Sequence, residues 1–432
     1  MNDCEKSRLL FRPLLDVKAV SKYIQEVFGV AVTDESCIKE LNSYRDRNYF
    51  VRGNIADNGH SFATRGDGKG QIFNDSLKAN QSAEVIGKFV FKVMSTETTY
   101  SKDFLDASIG VMEHIQESLG NSPYNFPIDI LSRNGNFAEL KELEVPLEYI
   151  AERDASFAEK IAKKQIEGDS VWKAVVGRNS EIKLVIKHYI RLLSFVDGKT
   201  MKDFEIEDKL LIQVGDLAAT VCKALEGFSH PILIEKRDIW DLKNLLWLNS
   251  PQYLDAIMNK ENHGMVVKCF QLFQDNFLSV AENLPKQTIH ADINASNLIT
   301  EIIDSKATIV GLIDFGEVTY SFRVCEIAIC MAYMSLLRPN DCLKDVGLVL
   351  SGYLSKEPLT DLELKVLYYG VIGRLAQSLT MGNYQYSLDP GNEYLLTTSQ
   401  TGWKVLGMFL EYEERVDELI EYWLQVHVNV QV

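Results

Sequence analysis

Two stretches of the sequence, 289-IHADINASNLI-299 and 308-TIVGLIDFGE-317, determine the fold that we predict for the chain. A short polar interval separates them. Residues 297–299 and 309–313 form two apolar runs that predict adjacent strands. Asp292 lies five residues before Asn297, which begins the first run. Asp314 begins an Asp-Phe-Gly at the end of the second run. A hairpin whose polar residues only solvate its loop would have the same outline.

The three polar residues have the types and spacing that phosphoryl transfer requires. An aspartate accepts the proton of the substrate hydroxyl, an asparagine five residues later binds magnesium, and an Asp-Phe-Gly after the next strand binds magnesium over the nucleotide phosphates. The transferring group carries spread negative charge, so the site needs hard oxygen ligands for Mg²⁺ and one carboxylate near the nucleophile. The pattern predicts Asp292 as the catalytic carboxylate and Asn297 and Asp314 as Mg²⁺ ligands.

The stretch departs from protein kinases, because the usual Arg and Leu are missing from the loop and no Ala-Pro-Glu follows Asp314. It resembles the aminoglycoside phosphotransferase and choline kinase-like superfamily and, within it, the hydroxylysine kinase family. Segments along most of the chain carry the closer resemblance: 41-LNSYRDRN-48, 89-FVFK-92, 190-IRLL-193, 239-IWDLKN-244, 374-RLAQSL-379 and 401-TGWK-404. Ala291 stands where this family usually has glycine, and a positive φ there would strain the alanine by roughly 1–2 kcal/mol.

The resemblance implies an α+β, two-lobed protein kinase-like fold, with a small antiparallel β-sheet lobe and a larger, mainly helical lobe. On that basis residues 1–193 form a nucleotide-binding lobe, 194–198 a hinge, and 199–432 the catalytic and substrate-binding lobe. The implied reaction transfers the γ-phosphoryl group of GTP, with ATP possible, to the hydroxyl of 5-hydroxy-L-lysine in lysine catabolism, giving 5-phosphohydroxylysine. Mg²⁺ is the implied cofactor.

Length and composition agree with a soluble enzyme of this kind. A chain of 432 residues is long enough for two lobes. The net charge of −16 disfavours a nucleic-acid surface and suits a cationic small substrate. Seven cysteines without a Cys-x-x-Cys, no leader-like N-terminus and no apolar run of spanning length predict a cytoplasmic protein without a membrane partner. Oligomeric state leaves no trace in the sequence.

Two strands around a polar turn are predicted over residues 41–51, where kinase-like folds cover the nucleotide phosphates with a hairpin. Ser43, Arg45 and Asn48 could donate hydrogen bonds in place of the missing glycines. Composition alone favours an ordinary polar hairpin, whereas the resemblance favours nucleotide binding. The glycine-rich segment 57–80 contains no Gly-x-x-x-x-Gly-Lys-Ser/Thr and is interpreted as a connecting excursion without chemistry.

Lys92 lies on a predicted strand over residues 85–94, and by resemblance it reaches the α- and β-phosphates. A helix over residues 101–119 should then supply an acid to pair with it. Asp106 occupies the position that matches the family's acidic residue, and Glu113, two turns further along a similar face, is the alternative.

A charged insertion at about 135–180 follows, and its section 139–165 has a helical appearance. The next strand, 182–193, leads into the predicted hinge. Purine bases are bound at such hinges largely by backbone groups, so the Ser194 carbonyl and the Val196 amide are expected to contact the nucleotide. The preference for GTP comes from the resemblance and has no counterpart in these side chains.

The late helices, predicted at 362–381 and 394–423, are where this superfamily gathers its substrate. A carboxylate on the substrate favours a guanidinium, so Arg374 is the candidate, with Ser378 one helical turn later and Trp403 as a pocket wall. Glu317 could receive a substrate ammonium group. Ordinary surface or core roles account equally well for each of these residues taken singly.

Two other interpretations remain. One is an ATP-dependent kinase for another hydroxylated amine such as choline or an amino sugar. The other is an idle relative that binds nucleotide as a scaffold, although an idle site has no chemical need to keep Lys92, Asp292, Asn297 and Asp314 together.

Overall fold

The computed structural model describes residues 10–41, 43, 46–55, 86–95, 102–120, 122–166, 168–177 and 181–431. Arg45 and the segment 57–80 lie outside the described residues. The chain divides into two compact units. Unit 1 comprises Met1–Ile109 with Pro127–Phe195, and unit 2 comprises Gly110–Phe126 with Val196–Val432. The change of unit between Phe195 and Val196 falls within the segment interpreted as a hinge.

Unit 1 is built on one antiparallel sheet of eight strands, in the order β1-β3-β4-β8-β5, with β2 on β3 and both β6 and β7 on β8. The strands are β1 (Val30–Ala31), β2 (Ile38–Leu41), β3 (Arg47–Ile55), β4 (Ile86–Val93), β5 (Asp129–Ile130), β6 (Ala138–Pro146), β7 (Trp172–Val176) and β8 (Ile182–Ser194). The hairpin β2–β3 and the strand β4 confirm the predicted strand positions.

The core of unit 1 follows from alternation along β4. Phe89, Phe91 and Val93 are fully buried on one face, because successive side chains of a strand point to opposite faces. Helix α1 (Val17–Tyr23) continues as a π-helical turn, Ile24–Phe28, and packs on this core. The helix ends at Gly29 with φ +73°, a left-handed cap that glycine adopts without strain.

The helical interpretation of residues 139–165 is wrong for its first part. Residues 138–146 form β6, which pairs along its length with β8, and only the short helices α3 (Leu147–Ala151) and α4 (Ala155–Ala162) follow. Glu, Lys and Leu favour helix in isolation, but pairing with a long central strand overrides that preference. Between β4 and β5 the chain forms helix α2 (Lys102–Ser118), close to the predicted bounds.

Unit 2 is mainly helical. Its helices after α2 are α5 (Asp208–Ala224), α6 (Pro231–Glu235), α7 (Pro251–Leu254), α8 (Lys260–Leu272), α9 (Val324–Met334), α10 (Cys342–Leu354), α11 (Asp361–Leu388), α12 (Ser399–Leu410) and α13 (Val416–Gln431). Short 3-10 helices lie at Met201–Asp203, Leu242–Leu248, Leu278–Asn283 and Glu393–Leu396, and a π-helix at Phe273–Phe277. The single helix predicted over 394–423 is therefore wrong, because turns separate three helical segments there.

Two small sheets carry the polar loops of unit 2. β9 (Lys199–Thr200), β11 (Leu298–Ile303) and β12 (Lys306–Leu312) form one sheet in the order β12-β11-β9. β10 (Lys286–Ile289) and β13 (Thr319–Phe322) form the other. The strands predicted at 297–299 and 309–313 are thus confirmed as an antiparallel hairpin.

Two helices of unit 2 bring residues to the polar loops. α9 is buried on nearly all sides, Glu326 included. α11 begins with a capping box between Thr360 and Glu363 and carries Arg374 into the interior.

Six cysteines in the described part of the chain are free thiols, and five of them are buried. In that same part, no helix is both long and apolar enough to span a bilayer.

Candidate active site

The hairpin β11–β12 brings the predicted metal ligands to one end of a sheet. Asn297 directly precedes β11 and Asp314 follows β12 after one residue. Leu298 pairs with Leu312, and the Ile313 N–H donates to the Asn297 carbonyl at 2.9 Å. The antiparallel register therefore places the two polar residues at the ends of adjacent strands, although 16 residues lie between them in the sequence.

Asp292 and Asn297 are in direct contact. Asn297 Nδ2 donates to Asp292 Oδ2 at 2.8 Å and to the Asp292 carbonyl at 3.0 Å. Asn294 Nδ2 donates to the same carbonyl at 3.2 Å. The loop between β10 and β11 is thus closed on itself by amide side chains, and the carboxylate of Asp292 has a fixed orientation.

The donor set fits one hard divalent cation. Both hydrogen bonds of the Asn297 side chain come from Nδ2, which leaves its Oδ1 as a possible metal ligand, and Asp314 is an exposed carboxylate at the end of the neighbouring strand. Among the described residues, three or more His, Cys, Asp or Glu side chains nowhere gather around a possible metal position. Mg²⁺ suits such a sparse set, because it is usually bound by one or two carboxylates together with substrate phosphates and water.

Two residues of the site have left-handed backbone. Ala291 and Asp314 both have φ +65°. Glycine would adopt this conformation without cost, whereas alanine is strained by roughly 1–2 kcal/mol. Ala291 thus has the positive φ at which an alanine is strained. Contacts with neighbouring residues must stabilise the loop against this strain.

Glu326 of α9 supplies that hold. Its Oε2 accepts the His290 N–H at 2.5 Å and its Oε1 accepts the Ala291 N–H at 3.1 Å. Burial raises the pKa of Glu326 to about 7, while the two N–H donors favour the ionised form. Sequence reasoning missed this residue, although an acid inside the apolar run 324–337 was a visible signal: buried acids need a partner.

His290 is buried beside the catalytic carboxylate. Its Nδ1 accepts the Asp292 N–H at 3.2 Å, and its ring packs edge-on against Phe315 at 4.8 Å between ring centroids. Burial lowers the pKa of His290 to about 4. The imidazole is therefore neutral at pH 7, and its hydrogen bond orients the loop.

Asp292 lies in an acidic surrounding with one buried cation. Burial raises its pKa to about 7, Arg374 opposes that shift, and the neighbouring carboxylates Glu317 and Asp314 add to it. Part of the side chain, about a fifth, still reaches solvent. A carboxyl with this pKa is well matched to accept a proton near neutral pH.

Arg374, expected at the substrate carboxylate, is fully buried on α11. Its Nη2 lies 3.6 Å from Asp292 Oδ1. Nη1 donates to the Trp240 carbonyl at 2.9 Å and to Gln377 Oε1 at 2.8 Å, and Nε donates to the Tyr333 hydroxyl at 3.2 Å. The Trp240 and Tyr333 rings each lie 5.1 Å from the guanidinium carbon. The structure thus links Arg374 to the catalytic carboxylate, a contact that the sequence did not predict.

The remaining predicted substrate residues are Ser378, Trp403 and Glu317. Ser378 is buried one turn beyond Arg374 and donates to Thr398 Oγ1 at 3.2 Å. Trp403 lies half-buried on α12. Glu317 is half-buried and close enough to influence both Asp292 and Arg374 electrostatically.

In unit 1 the ion pair of Lys92 joins its Nζ to Asp46 Oδ2 at 3.0 Å. Asp46 belongs to the β2–β3 turn, and sequence reasoning missed it as a partner. The expected pairing of Lys92 with Asp106 or Glu113 of α2 stays a prediction, and Asp106 is exposed on that helix.

The other predicted nucleotide contacts occupy the turn and the hinge. Ser43 Oγ donates to the Asp46 carbonyl, and Asn48 stands opposite Lys92 in the β3–β4 register. Ser194 exchanges hydrogen bonds of 2.8 Å with the Ile128 backbone through its N–H and its Oγ. Val196 packs with Ile299, Val310 and Ile313. Nucleotide binding by these residues stays a prediction.

Comparison with known proteins agrees with this geometry. The phosphotransferase enzyme family matches residues 148–346. An aminopropanol kinase associated with a microcompartment has a similar fold, with a TM-score of 0.58 at 11% identity over 93% of this chain and 98% of that one. An amicoumacin kinase in complex with AMP-PNP and Ca²⁺ follows with a TM-score of 0.52, also at 11% identity, over 97% and 96% of the two chains. Fold and site together are those of a two-lobed, kinase-like phosphotransferase.

Similarity in sequence is more specific. Hydroxylysine kinase of Bos taurus is 26% identical over 98% of this chain and 96% of its own length. Hydroxylysine kinase of Danio rerio is 31% identical over 55% of this chain and 67% of its own length. The chain belongs to the hydroxylysine kinase family of phosphotransferases.

Proposed function

We propose that the protein transfers the γ-phosphoryl group of GTP to the side-chain hydroxyl of 5-hydroxy-L-lysine, in lysine and hydroxylysine catabolism. The contact of Asp292 with Asn297, beside Asp314 at the neighbouring strand end, is the observation that carries this proposal. It joins a proton acceptor and two hard oxygen ligands in the arrangement that phosphoryl transfer uses. The names of the relatives support hydroxylysine as the acceptor.

Nucleotide-binding roles are proposed for each unit separately. In unit 1, Lys92 holds the phosphates, Asn48 and the backbone N–H of Ser43 donate to them, and the Ser194 carbonyl accepts from the base. In unit 2, the Val196 amide donates to the base. The apolar cluster around Val196 supports this role, because purine sites are lined mostly by apolar side chains.

Asn297 and Asp314 would hold Mg²⁺. When bound, the ion neutralises charge on the phosphates. Asp292 orients the acceptor hydroxyl and takes its proton as the oxygen attacks the γ-phosphorus and the bond from that phosphorus to the GDP oxygen breaks, releasing GDP. Arg374 opposes the loss of charge on Asp292 that burial would otherwise cause.

The acidic surroundings support a cationic acceptor. Glu317 and Asp314 act electrostatically on Asp292, and the buried Arg374 lies beside Asp292. Two ammonium groups of hydroxylysine would complement that charge. We assign one of them to Glu317, and we assign the acceptor carboxylate to Arg374 Nη2, with Ser378 and Trp403 lining the same pocket.

A panel of acceptors with GTP or ATP and Mg²⁺ tests the reaction. We expect 5-hydroxy-L-lysine to be phosphorylated faster with GTP than with ATP. Lysine is the matched control, because it differs only by lacking the hydroxyl and should consume no nucleotide. Faster turnover of choline or an amino sugar would replace the acceptor, and no magnesium-dependent nucleotide consumption with any acceptor would favour a nucleotide-binding scaffold.

The role of Arg374 can be separated from that of Asp292 by removing the acceptor carboxylate. For Arg374→Lys we expect KM for hydroxylysine to rise about 10-fold or more, since lysine lacks the fork that matches a carboxylate. KM for 1,5-diaminopentan-2-ol, which has the hydroxyl and both amines but no carboxylate, should change little. Equal losses with both acceptors would restrict Arg374 to orienting Asp292.

A further inference from the structure

The ion pair between Lys92 and Asp46 in unit 1 is built into the sheet. Lys92 Nζ lies 3.0 Å from Asp46 Oδ2, and both residues are more than nine-tenths buried. Lys92 is on β4, whereas Asp46 directly precedes β3, the strand paired with β4. The contact therefore closes the end of the β2–β3 hairpin against the neighbouring strand.

Asp46 is itself anchored at two further points. Its Oδ1 accepts the Ser95 N–H at 2.7 Å, just beyond the end of β4. Its backbone carbonyl accepts the Ser43 hydroxyl. One carboxylate oxygen is thus fixed by backbone, and the other faces the ammonium group. An anchored carboxylate defines where the lysine nitrogen lies.

The charges around Lys92 explain why it needs a carboxylate of its own. Arg191 stands directly opposite Lys92 in the β4–β8 register, and like charges in facing positions repel. Arg191 is held by Asp129 through two contacts of 2.7 Å to Nη2, and that pair is buried too. Losing Asp46 would remove the carboxylate that contacts Lys92 Nζ, whereas Arg191 on the facing strand would keep its contacts with Asp129.

We propose that Asp46 is a positioning residue that holds Lys92 in the place where it contacts the nucleotide phosphates, so that the β2–β3 turn supports the phosphate-binding lysine. The proposal rests on the proposed phosphate-binding role of Lys92. An ammonium group has three donors. The ammonium group can therefore contact Asp46 with one donor and phosphate oxygens with another.

Asp46→Asn is the variant that tests this role with least disturbance. The asparagine side chain has nearly the same shape, and its Oδ1 can still accept the Ser95 N–H, but the charge facing Lys92 is gone. We expect kcat/KM for the nucleotide to fall by about 10- to 100-fold, the loss typical of a displaced site group, with KM for the acceptor unchanged. Asp46→Glu keeps the charge and should retain more nucleotide affinity than Asp46→Asn. If Asp46→Asn does not fold, Asp46→Glu is compared with Asp46→Ala instead.

A double-mutant cycle with Lys92→Met decides whether Asp46 acts through the lysine. Asp46→Asn should add less than 2-fold to the loss in the Lys92→Met background. Independent, multiplying losses would overturn the proposal, as would unchanged or higher nucleotide kcat/KM in Asp46→Asn, or no advantage of glutamate over the neutral variants. If Lys92→Met alone leaves nucleotide kinetics unchanged, the proposed function of Lys92 fails instead, so the two failures are distinguishable.

Glu40→Gln is the matched control. Glu40 forms the Arg47 ion pair on the same hairpin, but it is far more exposed. The variant removes an acid from β2 without touching Lys92. Nucleotide kinetics within 2-fold of the parent protein would show that losing a hairpin ion pair is not itself sufficient, and a loss as large as that of Asp46→Asn would overturn the specific role of Asp46.

Discussion

Asp292 in unit 2 and Lys92 in unit 1 are the charged groups to which we assign the acceptor hydroxyl and the phosphates, and the chain supports them in opposite ways. Asp292 is oriented by Asn297, five residues further along the same loop. Lys92 is paired with Asp46, which lies in the hairpin turn just before the neighbouring strand β3. The difference teaches that a functional group within a short loop can be recognised together with its partner, whereas a group on a strand takes its partner from whichever segment the sheet brings alongside.

Removing the Asp292 carboxylate should have the largest effect. For Asp292→Asn we expect turnover to fall by roughly 10²- to 10⁴-fold, because the proton acceptor is lost while the shape is kept. Turnover and melting temperature are measured together. Asp304→Asn is the matched control: it lies exposed at the tip of the β11–β12 hairpin with φ +50°, which asparagine tolerates. Near-normal turnover in Asp292→Asn would remove it from the catalytic role.

The variant Glu326→Gln tests whether the loop at His290 and Ala291 also depends on a partner that is distant in sequence. A glutamine can offer only one oxygen to the His290 and Ala291 N–H groups, so one buried donor loses its partner at a cost of about 1–3 kcal/mol. We expect turnover to fall by about 10- to 100-fold as the loop shifts. Steady-state kinetics at saturating substrates measure this.

Glu363→Gln controls for the loss of a buried acid. Glu363 is fully buried and pairs with Arg323, away from the loop. The Glu363→Gln variant should lower the melting temperature without lowering turnover. If both variants lose turnover equally, Glu326 has no special hold on the catalytic loop.

The two units can be compared directly through one buried histidine each. Burial lowers the pKa of His188 in unit 1 and of His290 in unit 2 to about 4, whereas an unfolded histidine titrates near ~6.5. Between these pH values the unfolded chain binds protons that the folded chain does not, so stability falls as the pH drops from about 6.5 towards 4. Melting temperatures across this range should therefore decline.

His188→Asn should flatten that decline for the transition of unit 1, because asparagine can donate to the Met94 carbonyl in place of Nδ1 and does not titrate. His263→Asn, on α8 of unit 2, is the control for replacing a histidine by asparagine elsewhere and should leave the transition of unit 1 unchanged. An unaltered slope in His188→Asn would mean that other groups govern the acid lability of unit 1.

The smallest effect concerns the strain at Ala291. Ala291→Gly removes the cost of a positive φ but adds unfolded-state entropy, so we expect a net stabilisation of up to about 1 kcal/mol with turnover kept. Chemical denaturation, followed through the unfolding transition of unit 2, measures this change in the free energy of unfolding. A destabilised variant would indicate that the alanine methyl group contributes packing, since Ala291 is almost completely buried.

The sequence by itself determined the elements whose contacts are local. The hairpin 297–313 and the pairing of Asp292 with Asn297 lie within a few residues along the chain, and their apolar and polar periodicity encodes them. The helix formers of 139–146 show the limit of such reasoning, because their strand depends on β8 more than 30 residues later.

Only the tertiary structure decided which distant groups meet the functional side chains. Asp46 reaches Lys92, Glu326 reaches the loop at Ala291, and Arg374 reaches Asp292. Each of these contacts joins segments far apart in sequence, and each follows from strand register and helix packing. Spacing along the chain does not record such geometry, because the folded core sets it and not the local conformational preference of the residues involved.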